Sequence, residues 1–142
     1  MDMPEDAALP RELACVSLVA DQDAVARYAE LTRDFKPIHL NPEFAAGTSF
    51  GRPIAHGTLG LNLVIEALER TFGTVPGDAR LEARFIAPVP VGATIRAGGR
   101  LTDEATGTYE IFVETASGER AVEGTCTIGD ASDIRNTGAS KT

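Results

Sequence analysis

The sequence has no tryptophan, only two cysteines, and an aromatic content of 6%. It is also short of positive charge: 13 Lys and Arg stand against 21 Asp and Glu, for a net charge of −8. Together these shortages argue against a nucleic-acid partner, because no basic stripe neutralises phosphates and little aromatic surface remains to stack bases. A few local arginines can still hold an anionic cofactor. Long apolar runs are missing too, and no stretch approaches the roughly 18 consecutive apolar residues that a membrane helix needs. The opening Met1-Asp2-Met3-Pro4-Glu5-Asp6 is acidic and lacks the positive-then-apolar layout of a secretory signal. The expectation is a cytoplasmic protein without membrane contact. Cys15 and Cys126 lie far apart without metal-ligand spacing, and both fall in strand-like apolar runs, which predicts two buried, reduced thiols.

What is present suits one folded domain. The chain has 142 residues, 43% of them hydrophobic, and a mean hydropathy of −0.05, enough to build a core. Residues 1–12 carry charge and prolines without periodicity and read as a flexible leader. Residues 129–142 are small and polar and read as a frayed tail. Between them, residues 13–128 divide into a helical, loop-rich front and a strand-rich back.

Leu13 to Val19 is a short β-like run. Asp21 and its neighbours offer capping side chains before a helix over Ala24 to Leu31. Asn41-Pro42 reads as an N-cap followed by proline at the first helical position, opening a short helix that stops at Gly47. From Gly57 to Phe72 hardly any polar face is left, which predicts a long buried helix ended by Gly73, with Pro76 shortly after. Strands follow over Leu81 to Ile86, Ala93 to Leu101, Tyr109 to Glu114 and Val122 to Ile128, the last two joined by a tight turn at Ser117-Gly118. A mostly antiparallel sheet after one long apolar helix buries that helix most simply by curling around it, an α+β arrangement known as the hot dog.

Two places carry chemistry-bearing residues. Asp34 and His39 flank Pro37 in Asp34-Phe35-Lys36-Pro37-Ile38-His39, where a proline-stiffened segment can fix two side chains relative to each other. A carboxylate beside an imidazole can orient and deprotonate a water and return a proton. A turn-capping Asp and a packed His account for the same spacing. The second place is Ala55-His56-Gly57-Thr58, at the entrance of the long helix. Free backbone N–H groups and the positive end of the helix dipole lie there, suited to a developing oxyanion. Close packing of helix on sheet accounts for Gly57 and Gly60 equally.

Taken together and in order, these segments resemble the MaoC-like family of R-specific enoyl-CoA hydratases, or hydratase 2. That family carries Gly-Asp-x-Asn-Pro-(Leu/Ile)-His followed by a helix opened by His-Gly. This chain reads Arg33-Asp34-Phe35-Lys36-Pro37-Ile38-His39, then Leu40-Asn41-Pro42-Glu43-Phe44-Ala45, then Arg52-Pro53-Ile54-Ala55-His56-Gly57, and the resemblance runs from Leu13 to Ile128. It implies a single hot-dog domain that hydrates a trans-2-enoyl-CoA or carrier-protein thioester to the (R)-3-hydroxyacyl thioester. Asp34 and His39 become the catalytic pair that holds the water added at Cβ. Gly57 becomes the backbone donor to the thioester oxygen, with His56 beside it in the oxyanion and substrate-binding region. The resemblance further implies no metal and no organic cofactor, coenzyme A being part of the substrate, and a homodimer joined edge to edge through its sheets.

This chain departs from the pattern twice, with Arg33 for the usual Gly and Lys36 for the usual Asn. Lys36 brings a positive charge that favours ionised Asp34 if it points inward, and that meets a substrate carboxylate or CoA phosphate if it points outward. Arg52, Arg84 and Arg96 are candidate phosphate anchors, although solvated surface charge explains each of them as well. Leu61, Asn62 and Ile65 are candidates to line an acyl pocket, with core packing as the plainer account. Two other functions fit the fold: a hot-dog thioesterase, against which the Asp34-to-His39 segment argues, and a non-catalytic acyl-binding subunit of a heteromer.

Overall fold

The apolar–polar alternation in the second half of the chain builds a single antiparallel sheet, and the apolar stripe of one long helix packs on it. The computed structural model describes residues 9–75 and 77–129. The expected flexible segments over 1–8 and 130–142, and Pro76, lie outside them. Five strands, β1 (Val16–Val19), β2 (Arg80–Phe85), β3 (Thr94–Asp103), β4 (Thr108–Thr115) and β5 (Arg120–Thr127), stand in the order β1-β3-β4-β5-β2. Every neighbouring pair is antiparallel, so β1 and β2 are the edges. Among the described residues four helices precede β2: α1 (Gln22–Thr32), α2 (Pro37–Leu40), α3 (Pro42–Ala46) and α4 (Gly57–Phe72). This is the hot-dog arrangement expected from the sequence.

Local signals set the ends of these elements. Asp21 accepts the Ala24 N–H and caps α1. Asn41 accepts the N–H groups of Glu43 and Phe44 and caps α3, with Pro42 at the first position and Gly47 as the stop. Gly73, with φ +85°, ends α4 in the left-handed conformation. The β4–β5 hairpin turns at Ser117-Gly118, where the Gly118 N–H donates to the Thr115 carbonyl at 2.8 Å.

Helix α4 buries Leu59, Gly60, Leu63, Val64, Ala67 and Leu68 against β3, β4 and β1. Gly60 lets it come close, since a Cβ there would stand 3.3 Å from a methyl of Val113. The opposite face is open, with Ile65 36% exposed, so the helix is not buried all round as its composition suggested. The sheet covers one flank only, and the buried stripe follows the helical repeat. Ile95 and Ala97 from β3, Tyr109, Ile111 and Val113 from β4, and Val122 and Cys126 from β5 complete the main core. A smaller cluster of Ala20, Val25, Tyr28, Ala55 and Leu59 lies under the front half, and Leu18 and Val89 touch both.

Three expectations need correction. The leader does not extend to residue 12: Leu9 is buried in the core, the Leu101 N–H donates to the Arg11 carbonyl at 2.8 Å, and the Tyr109 hydroxyl donates to the Pro10 carbonyl at 2.5 Å. Gly129 is likewise tied down, its N–H donating to the Thr106 carbonyl at 3.0 Å. Cys15 is exposed. It precedes β1 and borders a groove with Arg96 and Phe112, so its apolar neighbours in sequence do not cover it. Cys126 is buried as expected, and desolvation pushes its thiol up to about 11. No helix among the described residues is long and apolar enough to cross a membrane.

The first departure from the family pattern has a visible cost. Arg33 ends α1 with φ +62° and ψ +28°, and among the described residues it is the one non-glycine with positive φ. A side chain in this region crowds its own carbonyl, whereas glycine does not. Arg33→Gly is therefore expected to raise stability by about 0.5–1 kcal/mol once glycine's larger unfolded-state entropy is subtracted. Thermal unfolding checks this, and a lower melting temperature would contradict it. A thiol reagent should modify one cysteine, Cys15, in the native protein and reach Cys126 only on unfolding.

Candidate active site

The loop after α1 is built to present two acceptors side by side. The Asp34 N–H donates back to the Ala29 carbonyl at 3.1 Å, which fixes the turn out of the helix. Lys36 then takes an extended backbone (φ −57°, ψ 137°), as a residue before proline must. Pro37 opens α2, a single helical turn that carries His39. The segment thus holds a regular helical turn, which proline favours because the first position of a turn needs no N–H partner.

His39 is anchored from across the site. Its Nδ1 lies 2.7 Å from the Ile54 carbonyl, and the Ile54 N–H donates to the Ile38 carbonyl at 3.1 Å. Residues on either side of Ile54 are tied to the loop before β3: the Ala55 N–H donates to the Val89 carbonyl at 2.7 Å, and the Val91 N–H to the Pro53 carbonyl at 3.0 Å. A carbonyl only accepts, so Nδ1 carries the proton, and the Nε2 of neutral His39 is left as an acceptor. That Nε2 stands 3.9 Å from Oδ2 of Asp34. The gap is too long for a direct hydrogen bond and short enough for one water to bridge.

His56 holds the other side of this arrangement. It precedes the first residue of α4, and its Nε2–H donates to the Asp34 main-chain carbonyl at 3.0 Å. Its ring stacks on His39, centroids 3.8 Å apart and planes 23° apart, and meets Tyr28 edge-on at 5.0 Å. Tyr28 is itself pinned, donating to Thr58 Oγ1 at 2.7 Å and accepting from Asn62 Nδ2 at 3.1 Å. His56 Nδ1 is buried without a hydrogen-bond partner. With its one N–H given to Asp34, a neutral His56 ring has no donor left for a ligand oxygen. The backbone of Gly57 does, since the first N–H groups of a helix have no partner within it.

An apolar cavity of about 290 Å³ opens beside these groups. His39, His56 and Gly57 form its polar end; Phe50, Phe85 and Val113 stand among its apolar walls. A Cβ on Gly57 would come within 3.2 Å of the Phe85 ring, so the glycine keeps this end open. Asp34 is not a wall of the cavity and lies beside His39, which is. Its carboxyl is held below the usual carboxylate range, chiefly by a hydrogen bond from Lys36.

Asp34, His39 and His56 also bring metal-ligand types within 4.8 Å of one another. The ring geometry does not suit one ion, because imidazole lone pairs lie in the ring plane and two nearly parallel stacked rings do not converge on a point.

A sequence profile described as MaoC like domain matches residues 2–123. The chain belongs to the MaoC-like domain family. The 3-hydroxyacyl-thioester dehydratase Z of Mycobacterium tuberculosis is 38% identical over 103 residues, covering 66% of this chain and 68% of that protein. The (R)-specific enoyl-CoA hydratase of Aeromonas caviae is 36% identical over 108 residues, covering 70% and 78% respectively. The solved (R)-hydratase from A. caviae involved in PHA biosynthesis superposes with a TM-score of 0.74 at 29% identity, covering 89% of this chain and 99% of that one.

Other candidates fall elsewhere in the MaoC-like frame. Leu61, Asn62 and Ile65 do not reach the cavity; Asn62 and Ile65 border a surface hollow on the far side of α4. Successive helical residues turn by about 100°, and it is Leu59 and Gly60, with Gly57, that line the cavity. Arg84 pairs with Glu123 at 3.8 Å and Arg96 with Glu114, both in ion pairs along the sheet, while Arg52 is exposed. The walls contributed by Phe50, Phe85 and Ile86 escaped the sequence reading. Their one signal was a large apolar residue next to a glycine or a proline-rich bend. Nitrogen-15 NMR of the neutral imidazoles should show the Nδ1–H tautomer for His39 and the Nε2–H tautomer for His56; the reverse pattern would contradict the anchoring described.

Proposed function

We propose that this MaoC-like chain adds water reversibly across the double bond of a trans-2-enoyl thioester, giving the (R)-3-hydroxyacyl thioester. The observation that carries the reading is the 3.9 Å gap between Asp34 Oδ2 and His39 Nε2, both acceptors, with His39 lining the polar end of an apolar cavity. A water held there donates one hydrogen to each and turns its lone pair outward, toward a carbon in the cavity. Its oxygen bonds to Cβ, the π electrons move through Cα onto the thioester oxygen, and a water proton passes to the Asp34–His39 pair. The pair then delivers a proton to Cα. The Gly57 N–H is the donor for the thioester oxygen, where a pre-aimed hydrogen bond supplies roughly 3–4 kcal/mol as negative charge develops. The names and sequence identity of the two relatives support the same reaction. The reading calls for no metal, in keeping with the stacked rings, and for no organic cofactor; coenzyme A or a carrier arm arrives with the substrate.

The same reading takes the working unit as a homodimer and its place as the cytoplasm. Two free thiols fit a reducing compartment. Strand β2 is a sheet edge that bears Phe85, 56% exposed, with Ile86 just beyond it at 48%, and an open edge of this kind invites pairing. Antiparallel pairing of two β2 strands centred on Ala83 sets Glu82 of each copy opposite Arg84 of the other, and Leu81 opposite Phe85. Opposite charges in facing positions favour that register.

Loss of crotonyl-CoA absorbance tests the chemistry. Wild type is expected to hydrate, and Asp34→Asn and His39→Ala to lose at least about 10²-fold in kcat while remaining folded. Inactivity of a folded wild type on short, long and carboxylated enoyl-CoAs alike would overturn the reading. For the dimer, Arg84→Glu should weaken self-association about tenfold, and the double exchange Glu82→Arg/Arg84→Glu should restore it. Sedimentation reads the difference, and a monomeric wild type rejects the interface.

A further inference from the structure

The two carboxylate oxygens of Asp34 face different surroundings. Oδ1 accepts both the Lys36 backbone N–H at 3.3 Å and the Lys36 ammonium at 3.1 Å. Oδ2 is the oxygen turned to His39. Lys36 stands where the family pattern has asparagine, a shorter and neutral side chain. Its extended backbone, imposed by Pro37, keeps it out of the helical turn, and its side chain folds back on Asp34 while staying 69% exposed. The inward alternative left open by the sequence is the one observed.

We propose that Lys36 is a positioning residue for the hydration: by occupying Oδ1 of Asp34 it reserves Oδ2 for the reacting water and orients the carboxylate against His39. The proposal rests on the hydratase reading above. The titratable or charged groups around Asp34 are Lys36 on its own loop, His39 from α2 and His56 at the start of α4, with exposed Arg33 preceding it at the end of α1. Among them Lys36 is the permanent cation in contact with the carboxylate. Removing that charge takes away the main group that holds the Asp34 carboxyl low, so Asp34 takes up a proton at higher pH. A protonated pair has lost an acceptor and releases the water. Exposure makes the effect sensitive to salt, since screening acts on a charge in solvent.

The test compares kcat/KM for crotonyl-CoA across pH in wild type, Lys36→Asn and Lys36→Arg, at low and high salt. In Lys36→Asn the acid limb is expected to move up by about 0.5–1 pH unit, so that on that limb activity relative to the variant's own maximum falls about 3- to 10-fold. KM should change little, Lys36→Arg should restore the wild-type profile, and high salt should draw the Asn and wild-type profiles together. Superimposed profiles for Lys36→Asn and wild type, with both active, overturn this proposal and leave the hydratase reading standing. So does a rise in KM with an unmoved acid limb, which would assign the ammonium to the substrate instead. A wild type that hydrates no enoyl thioester overturns both.

Discussion

The Ile54 peptide is the point on which the site depends. Its carbonyl fixes the His39 ring and its N–H closes on Ile38, while its neighbours are hydrogen-bonded to the loop before β3. One main-chain unit thus decides which imidazole nitrogen carries the proton, where the ring stands, and how far α2 lies from the entrance of α4. The stacked His56 and its bond to the Asp34 carbonyl then add a second brace between the same two segments. Each of the two facing acceptors, Asp34 and His39, is thus oriented by a backbone contact, and in the proposed hydration pre-orientation of this kind lowers the reorganisation needed.

Much of the fold was legible because local signals agreed with one another. The Gly57 start and Gly73 stop of α4, the Asn41 cap, the Ser117-Gly118 turn and the alternation in β4 and β5 each rest on chemistry within a few residues. Burial was harder to read. The outer face of α4, the exposure of Cys15 and the packing of Leu9 through Glu12 depend on which surfaces the sheet reaches. A strand-like run tells which residues alternate and not whether a second layer covers them.

The site was legible as a motif rather than as a shape. Asp34, His39, His56 and Gly57 were found by type and spacing, and the structure gathers them at one end of one cavity or beside it. Spacing could not tell that the His56 N–H is spent on the Asp34 carbonyl, nor that Leu59 and Gly60 rather than Leu61 and Asn62 line the cavity. The phase of a helix relative to a sheet is a tertiary property. The family pattern helped in one unexpected way: the position where glycine is usual proves to have a left-handed backbone, so the glycine there is explained by conformation and the arginine here is tolerated under strain.

The division of the interior into two clusters has a consequence for how the protein wears out. The sheet and most of α4 are held by the larger core, whereas the helices that carry the site rest on a cluster of five residues, Ala20, Val25, Tyr28, Ala55 and Leu59. A unit with less buried apolar surface opens at lower free energy than the rest. The front half is therefore where opening on heating is expected to begin. Engineering for endurance belongs in that small cluster, since added stability in the sheet lengthens the life of the scaffold and not of the chemistry.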